Sequence, residues 1–220
     1  MPTTIAVTGE FEVRRAAERG TVRLSLGFEG PSREDVVERC ARLHAEIGEG
    51  LSARHDPADG PVTEWSSDQL RVWGERPWNQ EGTQLPVVFH AAAGASATFA
   101  DVTALSAWLT EVSLVDGVTV EGVTWDLTEQ TRAAVTEEAR RGAVAAAVHK
   151  AGVYAAAVGL ADVRVTAVAD PGLLADGGPP VPREKEVRMA AFAMEAAPGL
   201  DLRPAEITVD ALVHARFDAG

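Results

Sequence analysis

From Ala139 to Gly159 an alanine or glycine falls at every fourth position, 139, 143, 147, 151, 155 and 159, within the stretch EARRGAVAAAVHKAGVYAAAVGL. In an α-helix each such step advances about 400°, so successive members sit about 40° further round and form one inclined ridge. A ridge without bulk lets a neighbouring sheet or helix approach the backbone closely. Because it winds by about 200° over five steps, no single narrow face contains it. Much of the helix circumference is therefore expected to be covered, with a second subunit as one source of cover. High helix propensity accounts for an alanine at any one rung, but regular spacing that closes on a helix-stopping glycine asks for a packing reason. Membrane insertion is a poor reading of the stretch. Arg140, Arg141, His149 and Lys150 interrupt it, and charge at bilayer depth costs several kcal/mol.

The rest of the chain supplies what the ridge can pack against. Residues 4–13, TIAVTGEFEV, alternate as a strand, and 21–30, TVRLSLGFEG, do so again with Val22, Leu24, Leu26 and Phe28 on one face. These two are expected to pair through the polar stretch 14–20. Ser32 is placed to cap a helix with Glu34 and Asp35 in its first turn and Val36, Val37, Cys40, Leu43, Ile47 and Leu51 at helical spacing. HDPADGP at 55–61 is turn chemistry. Next, 62–73 and 86–99 read as the arms of a long hairpin with a polar loop at 74–85. Asp101 caps a short helix over 102–112, Gly117 opens a strand over 118–127, and Thr128 caps the long helix. Strands at 161–170 and 205–219 flank a Pro/Gly-rich loop at 171–186. Hairpins mixed with helical crossovers predict an α+β fold, a largely antiparallel sheet with helices packed on one face.

Composition removes several function classes. Twenty Lys and Arg against 33 Asp and Glu give a net charge of −13, which repels a phosphate backbone or an anionic bilayer, so neither nucleic acid nor membrane is expected as a partner. Cys40 is the single cysteine, so no intramolecular disulfide forms. The opening MPTTIAVTGEFEV has no basic n-region followed by an apolar run, which gives a cytoplasmic location as the expectation.

Four passages in order resemble one known family. IAVTGEFE at 5–12, TVRLSLGFEGPSREDVV at 21–37, the spaced alanines leading to AAAVGL at 155–160, and EITVDALVHARF at 206–217 are similar to the SIMPL domain proteins of bacteria. The resemblance spans almost the whole chain. It implies an α+β fold, a tendency to form large homo-oligomers that are hollow or channel-like in some members, and no established catalytic residues. Many members carry a signal peptide and belong to the cell envelope. The chain is accordingly read as one SIMPL-like domain over 1–220, divisible into α+β parts of about 1–100 and 101–220.

Catalytic signatures are missing. His44, His55, His90, His149 and His214 lie in five different elements, none at a recognised metal-ligand spacing, and HDPADG lacks the order of a calcium loop. There is no GxSxG, no glycine-rich phosphate loop, and Cys40 sits on the apolar side of a helix. The acidic pairs Glu34-Asp35 and Glu137-Glu138 sit near helix starts, where the dipole explains them. No catalytic residue, cofactor or metal is assigned. The most suggestive local feature is aromatic: five tryptophans against one tyrosine, with Trp73 and Trp78 around the turn RVWGERPWNQEG. An exposed Trp78 anchors a subunit interface or a ligand, or folds back over its own hairpin. The candidate interface or ligand contacts are Trp73, Trp78, His90 and the ridge residues Ala139, Ala143, Ala147, Ala151 and Ala155. The function expected is that of a non-catalytic, self-assembling scaffold or interaction protein, with an unidentified protein partner admitted. The alternative is a small-molecule binding module or enzyme with a pocket near Trp73, Trp78 and His90.

Overall fold

A computed structural model describes residues 3–78, 84–174 and 202–220. The elements in chain order are β1 (Thr3–Ala16), β2 (Arg19–Gly30), α1 (Arg33–Arg54), β3 (Val62–Ser67), β4 (Arg71–Glu75), β5 (Val88–Phe99), α2 (Val102–Val112), β6 (Val118–Asp126), α3 (Glu129–Ala157), β7 (Val163–Ala169) and β8 (Glu206–Ala219). Antiparallel sheets and three helices make this the expected α+β class. All three caps lie where side-chain oxygens fill orphan amides. Ser32 accepts from the Asp35 amide, Asp101 from Thr103 and Thr128 from Thr131.

The chain divides into two compact units, and neither is a contiguous half. One holds β1, α3, β7 and β8; the other holds β2 to β6 with α1 and α2. The division falls after residues 16 and 126 rather than near residue 100.

In the first unit the sheet order is β1-β8-β7, all antiparallel. β1 and β8 align over fourteen residues each, with Ile5 opposite Phe217 and Val7 opposite Ala215. Their inward residues meet the alanine ridge: Ala143, Ala147, Ala151 and Ala155 pack with Ile5, Val7, Val213 and Phe217, and Ala139 with Val13. A straight helix rotates each rung away from a flat surface, so the covering strands must coil with it, as a right-twisted ribbon does. The closeness is backbone on backbone. A Cβ added to Gly9 would meet the Ala143 carbonyl oxygen and stand 2.7 Å from both Ala147 Cβ and N. Lys150 Nζ donates to the Thr8 carbonyl at 2.7 Å, and Arg15 pairs with Glu138 at 2.7 Å, so α3 is also tied to β1 by polar contacts. Gly159 turns out to be the stop and not a rung. Its φ is +78°, and the amides of Gly159 and Leu160 return to Ala156 and Ala155.

In the second unit the sheet order is β3-β5-β2-β6, and β4 also pairs with β5. Both helices cover one face. Leu43, Ile47 and Leu51 of α1 and Leu105, Trp108 and Leu109 of α2 join Val22, Leu24, Leu26 and Phe99 in one core.

Two expected pairings are corrected. β1 and β2 do not form a hairpin: β1 pairs with β8, while β2 pairs with β5 and β6. Only two residues separate β1 from β2, and neither these nor Gly20 has the positive φ that a tight primed turn requires. The long hairpin arm over 62–73 is two short strands, β3 and β4, each pairing with β5. Its expected polar loop falls partly at 79–83, and the Pro/Gly-rich loop mostly beyond residue 174, outside the described residues.

Candidate functional site

Each unit carries one place where candidate residues gather. In the second unit, register sets His90 of β5 directly between Glu29 of β2 and Trp73 of β4. The Trp73 and His90 rings stack with centroids 5.1 Å apart and planes 10° from parallel. His90 Nδ1 lies 3.6 Å from Glu29 Oε2, and Nε2 lies 3.5 Å from Glu75 Oε1. Those are ion-pair separations without hydrogen-bond geometry: Nε2 is buried and has no hydrogen-bond partner. Arg71 sits over the Trp73 ring at 5.9 Å. All of these occupy the sheet face opposite the helices, because the neighbouring Ala91 and Val72 point into the cluster with Val36 and Cys40 of α1.

Beside this cluster is a shallow depression of about 300 Å³ walled by Pro31, Pro77, Leu85, Pro86 and Val88, with Glu29 at its edge. Trp78, next in sequence to Pro77, is 81% exposed. It takes no part in the stack. Sequence reasoning named Trp73 and His90 but missed Glu29 and Glu75. Neither is near His90 along the chain, and only the β2–β5–β4 register brings them to it.

In the first unit the ridge residues are spent inside the chain. Ala139, Ala143, Ala147, Ala151 and Ala155 are each at most 1% exposed beneath β1 and β8. They are therefore not a surface offered to another subunit, because the close approach they permit is to their own sheet. Among the described residues, what remains uncovered is the far edge. Val165 and Val168 of β7 stand opposite Phe217 and Ala215, whose side chains face α3, and so share that face. They are nonetheless 52% and 47% exposed, because the helix lies mainly over β1 and β8 and the packing against it takes in Val163 of β7 but neither of these two valines. Lys150 reaches the β1 side of the helix. At about 100° per residue, Val144 and the exposed Val148 occupy the opposite flank, toward β7. The strip was hard to read in the sequence because a bulge between Val165 and Ala167 breaks the alternation of β7.

Of the other chemistry-bearing groups, His44 has a buried Nε2 with no hydrogen-bond partner among the described residues, while Cys40 and His55 make contacts with backbone carbonyls. Cys40 is buried with Sγ 3.6 Å from the Leu26 carbonyl, and burial pushes its thiol above the ordinary range. His55 Nε2 lies 3.2 Å from the Thr63 carbonyl. Among the described residues no group of three or more His, Cys, Asp or Glu could hold a metal ion, and no helix is long and apolar enough to cross a membrane.

A family model described as "SIMPL: Protein of unknown function (DUF541)" matches residues 5–217. No curated protein matches the chain.

Proposed function

The chain belongs to the SIMPL family, whose function is not known, and from that premise we propose that it is a non-catalytic, self-assembling scaffold or interaction protein of the cytoplasm. The observation that carries the reading is the bare strip of β7. Val165 and Val168 lie on a core-facing sheet surface that the chain's own helix leaves uncovered, flanked by Val148 of α3. A second copy seated there would bury side chains that otherwise face water, at about 25 cal/mol for each Å² of apolar surface removed. With a net charge of −13, neither nucleic acid nor an anionic membrane suits the surface, and no cofactor is invoked.

Native mass measured by light scattering at micromolar concentration tests this. The expected value is several times 23.2 kDa, falling toward the monomer in a Val165→Glu/Val168→Glu double variant that keeps its circular dichroism spectrum. A monomeric wild type, or an assembly that the double variant leaves intact, defeats the proposal.

The second reading, a small-molecule binding module, draws on the depression beside Glu29 and on the exposed Trp73 and Trp78. Its apolar walls and the Glu29 carboxylate suit a small organic cation rather than an anion.

A further inference from the structure

His90 offers its two ring nitrogens to two different carboxylates, Glu29 on one neighbouring strand and Glu75 on another. A neutral imidazole has one N–H, and its other nitrogen is a lone pair. Whichever tautomer is present, one carboxylate then faces a lone pair, and the contact is repulsive. Only the imidazolium presents a donor to each side. It also turns the Trp73 stack, with centroids 5.1 Å apart, into a cation against an aromatic face. Among the described residues, the charged groups paired with the ring are Glu29 from β2 and Glu75 from β4. Arg71 approaches the Trp73 ring, and α1 packs against the other face of the sheet through Val36 and Cys40.

We propose that His90 is a proton-operated clasp for β4. With the proton on, Glu75 and Trp73 both hold β4 to β5, while Glu29 holds the ring itself to β2. With the proton off, one pair reverses sign and the cation–aromatic attraction disappears. The strand it governs has few other holds among the described residues: β4 has five residues, pairs with β5, and sends Val72 into the cluster with Val36 and Cys40. Pro77, on the segment that follows β4, helps wall the depression, so loosening the strand also unmakes that wall. The clasp is independent of the assembly reading, since it involves none of α3, β7 or β8.

The test is amide hydrogen exchange on the full chain between pH 5 and 8, where a histidine changes charge. The protection of β4 is divided by that of β6, a strand of the same sheet that pairs with β2, so the ratio removes the intrinsic pH dependence of exchange. The ratio should fall roughly two- to tenfold as pH rises, the size expected for losing partly exposed ion pairs. His90→Gln should abolish the pH dependence, and Glu75→Gln, an exposed position that leaves the fold alone, should reduce it. A ratio that ignores pH, or one whose pH dependence survives either substitution unchanged, overturns the proposal.

Discussion

Gly9→Ala adds one methyl group where the structure has no room for it. The new Cβ would overlap the Ala143 carbonyl oxygen and stand 2.7 Å from Ala147 Cβ and N. Carbon atoms settle at about 3.5–4.0 Å, so the helix must back away from β1 by about 1 Å, and the obstacle is backbone that no rotamer change relieves. Such a shift is shared by the whole ridge, because the alanines from 139 to 155 lie on one rigid helix. Overpacking of this kind costs about 1–3 kcal/mol. The reduced freedom of the unfolded chain returns about 0.4–1 kcal/mol, leaving a net loss of about 1–2 kcal/mol. For a chain of this size that lowers Tm by about 3–6 °C. The control is Gly152→Ala on the same helix, where an added Cβ meets nothing within 4 Å. There the usual preference for alanine over glycine inside a helix applies, a gain of about 0.5–1 kcal/mol. Thermal unfolding followed by circular dichroism, at one fixed protein concentration so that assembly contributes equally, reads both. A Gly9→Ala protein that melts with or above the wild type would show that bare backbone does not set the distance between helix and sheet.

One further substitution probes a loop, and one labelling rate probes the core. Asp56 accepts from the amides of Ala58 at 2.9 Å and Asp59 at 3.3 Å, and those hydrogen bonds, Ala58 first, hold its carboxyl below the ordinary range. A folded value below the unfolded one, about 3.9 for an aspartate, means stability that is present above that value and lost as pH falls through the folded one. The Tm gap between wild type and Asp56→Ala should therefore be open at neutral pH and close as the solution is made more acidic than pH 4; a gap that widens in acid reverses the sign. Cys40, buried with its thiol pushed up, should react with iodoacetamide at least about a hundredfold more slowly in buffer than in denaturing urea. Equal rates would place it at the surface.

The local signals in this sequence were legible because each rests on a few neighbouring residues. Ser32, Asp101 and Thr128 each begin a helix, and each does so by accepting an amide within three residues. The alanine spacing likewise announced a close approach. It could not say what approached: spacing reports missing bulk on one side, and identifies the neighbour only once β1 and β8 are known to share a sheet. The partnership of β1 and β2 failed for a related reason. Sequence-adjacent strands commonly pair, but here the connecting residues carry no left-handed conformation and the two strands enter separate sheets. The environment of His90 depends on register in two strands at once, and register is a property of paired strands that no single segment displays.

The sheet of the first unit treats its two edges differently, and that asymmetry gives the assembly reading its direction. An edge strand fourteen residues long is a ready template for uncontrolled pairing. β1 carries Glu10, Glu12, Arg14 and Arg15 along its length, and α3 places Lys150 on its Thr8 carbonyl and Glu138 on Arg15. The seven residues of β7 hold one charge, Arg164, and leave two valines uncovered on the helix side. Charge and capping on the long edge oppose open-ended growth, while the short edge is left with apolar surface to bury. A strip that meets the same strip on another copy generates a two-fold contact, which closes on itself, whereas pairing of the short edge with the long one would propagate as a filament. If copies assemble as proposed, guarding β1 favours a closed assembly over a fibre, even though the same sheet supplies both edges.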